Sequence, residues 1–262
     1  MKLQILNTQG TPVGEKELPA VFNTPLRTDI ILRANLAIAS HERQPYGADP
    51  RAGAKTAAKL SRRRRKYKTA YGHGISRSPR KIMSRNGERM NWRGAFAPNT
   101  VGGRMAFAPN ACKNWYQKIN DKERKVAVRS AMAAVMQKEL VLLHGHKLPP
   151  VYPFLISNEF ESLDKSSKVV EAFEKLGLAN ELERCSERKI RSGKGKNRGR
   201  PYVHKVGPLL VVSGHCKLIT SARNIQGVQV IPANRLNTRL LAPGSKAGRL
   251  TLFTQAALEK VK

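Results

Sequence analysis

Residues 59–74 read KLSRRRRKYKTAYGHG. Arg62, Arg63, Arg64, Arg65, Lys66 and Lys68 stand together, and Arg77, Arg80, Lys81, Arg85, Arg89, Arg93 and Arg104 follow at short intervals. Between Arg51 and Lys113 there are seventeen Lys/Arg and one acid, Glu88. Tyr67, Tyr71, Trp92, Phe96, Phe107 and Trp115 are interleaved with them. Cations at this density can neutralise phosphates, and flat rings can stack on unpaired bases or pack in grooves. Arginine outnumbers lysine, and its planar fork suits bidentate phosphate contacts and stacking. A second cluster, Arg188, Lys189, Arg191, Lys194, Lys196, Arg198, Arg200 and Lys205, interrupts the later half. Either run alone would also suit a solvated basic tail or a localisation signal; two within one folding chain point to a polyanion.

Other chemistries find less support. The stretch SGKGKNRGRP (192–201) has glycines and cations but matches neither a Walker loop nor a dinucleotide fingerprint, and it reads as a flexible cationic loop. His144 with His146, and His215 with Cys216, each lack the second half of a four-ligand metal site, so no metal is expected. Cys216 at a strand's carboxyl end is the best nucleophile, yet neighbours in an extended strand point to opposite faces, so His215 would not activate it. The eight acids between 159 and 187 are spaced as solvated helix faces. No helix-turn-helix, RNA-recognition-motif signature or zinc finger is visible. No cofactor and no small-molecule substrate are expected.

The elements that must carry these residues follow from composition and periodicity. The chain has 262 residues, 40% hydrophobic, with 49 Lys+Arg against 18 Asp+Glu and a formal net charge of +31. That is enough apolar content for a core, and enough excess charge to make compaction costly without an anion. No apolar run approaches the roughly 20 residues of a spanning helix, so no membrane partner is expected. MKLQILNTQGTP is too weakly apolar for a secretory leader, and the three separated cysteines suggest free thiols in a reducing, cytoplasmic compartment.

KLQIL predicts a strand, and Thr28-Asp29 caps a helix that Pro45 stops. From 46 to 118 neither period persists, so this span is expected to be one long irregular basic loop. Asn120 and Glu123 open a helix with Val128, Met132 and Val135 on one face. Apolar runs at 151 (VYPFLI), 208 (PLLVV), 228 (VQVI) and 250 (LTLF) predict four buried strands. Between or after them lie the helices SKVVEAFEKLGL, with Gly177 as C-cap, and TQAALEKVK, with Thr254 as N-cap. The pattern predicts an α/β three-layer domain (1–45 and 119–262) with a mainly parallel four-stranded sheet, into which the 46–118 loop is inserted. Ala-Phe-Ala-Pro-Asn occurs twice, at 95–99 and 106–110, and should be non-helical in both copies.

Glycines and prolines would let the loop thread crevices of folded RNA; a duplex offers only an outer surface. Three functional classes follow: an RNA-ordering protein, an RNA-modifying enzyme with a pocket near Ser213–Cys216, and a basic DNA binder.

At ISRSPRKIMSRNGERM (75–90), APNTVGGRMAFAP (97–109), NDKERKVAVRSA (120–131) and LAPGSKAGRLTLFTQAALEKV (241–261), the chain closely resembles the archaeal and eukaryotic branch of the large-subunit ribosomal protein family called L-four. An end at Lys262, without the eukaryotic extension, makes the archaeal-length form the expectation. The resemblance implies a non-catalytic constituent of the large subunit, bound to its rRNA and to neighbouring ribosomal proteins. It also implies that the loop reaches the nascent-peptide exit tunnel, with the tip between Arg65 and Arg80 and with Tyr71, Gly72, His73 and Gly74 on the wall beside the nascent peptide.

Overall fold

The computed structural model describes residues 1–66 and 69–261. Tyr67 and Lys68, both proposed above as RNA-binding, lie outside the described residues. In chain order the elements are β1 (Lys2–Leu6), β2 (Pro12–Glu17), α1 (Thr28–Glu42), β3 (Arg80–Asn86), β4 (Arg89–Gly94), α2 (Asp121–Val135), α3 (Lys138–Leu143), β5 (Leu155–Ile156), α4 (Ser166–Lys175) and α5 (Ala179–Ser186). They continue with β6 (Lys189–Ile190), β7 (Tyr202–Val203), β8 (Leu209–Val212), α6 (Lys217–Ala222), β9 (Gln229–Pro232), α7 (Thr238–Leu241), β10 (Thr251–Thr254) and α8 (Gln255–Lys260). The chain divides into a body, Met1–Glu42 with Tyr116–Lys262, and an insert, Arg43–Trp115. These limits fall three residues before the ones drawn from composition, 46 and 118. No helix among the described residues is long and apolar enough to cross a membrane.

The body's sheet runs β2-β1-β5-β10-β8-β9. Every pairing is parallel except β1 with β2. The expected four strands therefore become six. KLQIL joins the sheet as β1, and β2 (PVGEKE) is an exposed antiparallel edge that needs no apolar run because one side faces water. VYPFLI shrinks to Leu155–Ile156, since Pro153 has no N–H to donate.

Successive residues serve opposite faces. Leu6, Ile156, Leu210, Val212 and Leu252 pack against Val169 and Phe173 of α4 and Leu218 of α6. Leu3, Ile5, Leu155, Leu209, Val211 and Phe253 pack against Ile31 of α1, Met132 and Val135 of α2 and Leu258 of α8. This is a three-layer α/β arrangement. All four residues of β8 are fully buried, each worth about 1.5–3 kcal/mol relative to exposure. At the end of α4, Gly177 (φ 78) lets its own N–H reach Glu174 O and the Leu178 N–H reach Phe173 O, both at 2.9 Å. These two bonds satisfy carbonyls the helix would otherwise leave open. Thr254 caps α8 as its position suggests, its hydroxyl accepting from the Ala257 N–H at 3.2 Å.

The insert contains more regular structure than its composition suggests. Strands β3 and β4 form an antiparallel hairpin in register Arg80↔Gly94, Lys81↔Arg93 and Ile82↔Trp92, with an irregularity before Ser84↔Asn91. Alternation was unreadable because cations occupy both faces. The 192–201 stretch is likewise part of a small hairpin, β6 with β7, closed by a 3-10 turn at Gly193–Arg198.

Candidate nucleic-acid interface

The insert has almost no core. Among its described residues only Ala70, Ala95, Thr69 and Ser78 are buried. It carries eighteen Lys/Arg against Asp49 and Glu88, a net +16, and Asp49 is already paired with Lys55 at 2.6 Å. What shapes it is the placement of cations on rings. The Arg77 guanidinium lies 5.1 Å from the Tyr71 ring centre, Arg80 5.7 Å from Trp92 and Arg104 5.7 Å from Phe96. Trp115 packs on Tyr46 (4.6 Å between centroids), with Arg43 at 4.9 Å and Lys113 at 5.7 Å. Such contacts are worth about 0.5–1 kcal/mol each at exposed sites. They orient the guanidinium planes without consuming their charge.

The remaining predicted residues distribute as follows. Arg62, Arg63, Arg64, Arg65 and Lys66 are all exposed, and none forms an ion pair among the described residues. Lys81 faces Arg93 directly across the hairpin, a like-charge pair that destabilises the ladder unless an anion lies between. The Arg85 Nε–H donates to Gly87 O at 2.9 Å, and Arg89 pairs with Asn86 at the hairpin turn. Phe107 is 96% exposed. The two Ala-Phe-Ala-Pro-Asn copies diverge: Phe96 adopts φ 69 beside buried Ala95, and the second copy is exposed throughout.

In the body's basic hairpin, Arg188 lies 6.0 Å from the Tyr202 ring. Lys189, Lys194, Lys196, Arg198 and Arg200 are exposed. Arg191 differs from them. Its Nε–H donates to Arg200 O and its Nη2 to Tyr202 O, so it braces the hairpin from inside. Lys205 is paired with Glu187. Sequence reasoning missed Arg43, Tyr46, Lys59 and Tyr202. Tyr202 stands beside a basic run and could have been found, whereas Tyr46 and Trp115 are sixty-nine positions apart with nothing to link them.

The places where other chemistry could sit are filled by structural bonds. Glu161, in the 3-10 turn Asn158–Ser162 after β5, accepts from the Ser213 N–H (2.8 Å), the Ser213 hydroxyl (2.6 Å) and the Thr254 hydroxyl (2.7 Å). It thus ties together the carboxyl ends of β8 and β10, where open α/β sheets hold ligands. Burial opposes its charge, but these donors prevail and lower its pKa. Burial pushes the Cys216 thiol up, away from the thiolate a nucleophile needs. His146 is buried and donates through Nδ1 to Glu181 Oε1 at 2.6 Å; burial lowers its pKa, so it stays neutral. Burial would raise the Glu181 pKa, yet bonds from Arg184, His146 and the Lys147 N–H bring it down to about 2. Among the described residues no group of three His, Cys, Asp or Glu could hold a metal.

Residues 16–262 match the description "Ribosomal protein L4/L1 family". The chain belongs to that family. It is 44% identical to the large ribosomal subunit protein uL4 of Nanoarchaeum equitans over all of this chain and 98% of that one. It is 42% identical to the uL4 of Methanopyrus kandleri over 99% of this chain and 97% of that protein. The uL4 of Saccharolobus islandicus shares 39% over 97% of this chain and 91% of its own length. Membership thus spans the insert as well as the body, and the resemblance seen in the four sequence motifs holds across the whole chain.

Proposed function

We propose that this chain is a structural, non-catalytic constituent of the large ribosomal subunit, in which the body anchors and the insert orders, and is ordered by, ribosomal RNA. One observation carries this reading: in a 73-residue unit of net charge +16, two alanines are the only buried apolar residues among those described. Fixing a backbone costs roughly 1–2 kcal/mol per residue, far beyond what two methyl groups return. A polyanion supplies the missing term, and the exposed arginines of 62–65 are its contacts. The uL4 names of full-length relatives, large ribosomal subunit proteins, support ribosomal RNA as that polyanion.

In the finer reading the insert penetrates the RNA, with its tip at the exit tunnel. Tyr71, Gly72, His73 and Gly74 suit a tip. Gly72 (φ 78) and Gly74 (φ 65) turn the chain in open space, and His73 is exposed between them. The nascent peptide is then a neighbour of His73, and other ribosomal proteins are neighbours of the body. The enzyme alternative loses its pocket to Glu161. The DNA alternative predicts equal affinity for duplex DNA and folded rRNA at equal salt.

The test is co-sedimentation. The tagged chain should travel with large subunits and leave them only in high salt, and reversing Arg62–Arg65 to Glu should block its incorporation while the body still folds. Incorporation of that variant at the normal level would count against the ordering role.

A further inference from the structure

Within the insert, Lys59 pairs with Arg80 at the edge of the β3–β4 hairpin, N–H to O at 3.3 Å in both directions. Beside this pair opens a groove of about 730 Å3. That volume falls among small-molecule sites, which run roughly 300–1,000 Å3. Leu60, Ile82 and Trp92 give it an apolar floor, and Lys59, Arg62, Arg63 and Arg80 give it a cationic rim with no acid.

We propose that this groove receives one unstacked nucleotide of the bound RNA, its base against Trp92 and Ile82 and its phosphate at Arg62 and Arg63. The proposal rests on the RNA-binding reading above and adds to it a specific receptor.

Three features favour a nucleotide. Ile82 and Trp92 are cross-strand partners, so they lie side by side on one face and make a flat apolar surface of ring size. Arg80 is held over the Trp92 ring by bonds from Nη2 to the Ser76 carbonyl (3.1 Å) and hydroxyl (3.3 Å), while its buried Nε–H has no acceptor among the described residues. A buried donor without a partner is costly, and a base carbonyl or phosphate oxygen would satisfy it. The rim, finally, is uniformly positive. An aliphatic side chain of a protein neighbour could cover the floor but would leave the Arg80 Nε–H and both rim arginines unmatched. A paired base is excluded because its ring faces are already stacked within the helix.

The test uses the full chain with Trp115→Phe, which leaves Trp92 as the sole indole of the two tryptophans. The probes are an RNA hairpin with one bulged adenosine and the same hairpin fully paired, followed by indole fluorescence and anisotropy. The bulged hairpin should bind more tightly and quench Trp92. Trp92→Ala should reduce affinity for the bulged hairpin by about 5- to 150-fold, the cost of one base–aromatic stack, and reduce affinity for the paired hairpin by much less. Trp92→Phe should keep most of the preference. Equal affinity for the two hairpins would overturn the proposal, as would an equal loss on both with Trp92→Ala. So would a photocross-link from the Trp92 segment to a protein in assembled subunits. If the chain still sediments with large subunits in those cases, only the nucleotide receptor falls; if it does not, the ribosomal reading falls with it.

Discussion

Replacing Arg62, Arg63, Arg64 and Arg65 by glutamine removes four cations that are exposed and have no acidic partner among the described residues. If each neutralises one phosphate, binding should lose about 0.7 of slope in log K against log salt per single-strand contact and about 0.9 per duplex contact. Four contacts make a total of about 2.8–3.6. Relative to 1 M salt, where the difference vanishes, affinity at 0.1 M should fall by about 600- to 4,000-fold. Anisotropy of a labelled large-subunit rRNA fragment, titrated with the full chain between 0.1 and 1 M KCl, reads both slope and intercept. A matched control replaces Lys2, Lys122, Lys138 and Lys217 by glutamine, lowering net charge by the same four units on exposed body positions. Its slope should change by less than one. An equal slope change in both variants would mean that overall field, not local contact, sets the affinity. A salt-independent loss would mean that the arginines act by shaping the insert. Either result would refute the contact reasoning.

Three further substitutions probe other parts of the argument. Glu181 sits at about 2 against an ordinary 4.5, so its ionised form adds about 3 kcal/mol at neutral pH, present above the ordinary value and lost as pH falls from about 4.5 to about 2. In urea titrations Glu181→Gln should cost about 3–5 kcal/mol at pH 7, leaving Arg184 without its counter-charge, and should flatten the acid limb; an unchanged limb would refute it. Glu161→Ala strips the acceptor from Ser213 and Thr254 and should cost about 2 kcal/mol, read by calorimetry as a fall in Tm of about 4–8 °C; no change would show that water replaces the carboxylate. Lys81→Glu turns the like-charge pair with Arg93 into an opposite pair, worth about 0.2–1 kcal/mol. Amide exchange should slow in the free hairpin while RNA affinity drops, and a gain in affinity would show that no anion lies between the strands.

The body was legible in the sequence because its signals are apolar. The buried runs that became β8 and β10, the α2 face of Met132 and Val135, and the caps at Gly177 and Thr254 are local patterns with local causes. What escaped was held by something other than apolar periodicity. β2 is a polar edge, and β3 with β4 carries cations on both faces. The charge concentration at Arg62–Arg65 could be read directly, but the cation–ring pairs could not. Arg80 and Trp92 are twelve positions apart, and their meeting depends on hairpin register. The groove beside them needs a third segment, Ala57–Arg63, whose own sequence gives no hint of it.

An insert this long is inexpensive for the body that carries it. The chain leaves and returns at one place: the Ser40 hydroxyl accepts from the Gln117 N–H at 3.0 Å, and His41 and Tyr116 pack with ring centres 5.0 Å apart. Closure entropy grows as about (3/2)RT ln n, so a loop of 73 residues costs only about 2 kcal/mol more than one of a dozen. The six-stranded body, with a covered core on each face of the sheet, can absorb that cost. On the proposed reading the cost of ordering the insert falls on the RNA-bound state, where counterions released from phosphates and rings stacked on bases would supply the return. The division predicts that the body can fold without the insert. A body-only chain joining Glu42 to Tyr116 by a short glycine-serine linker should therefore fold cooperatively with nearly the full chain's stability.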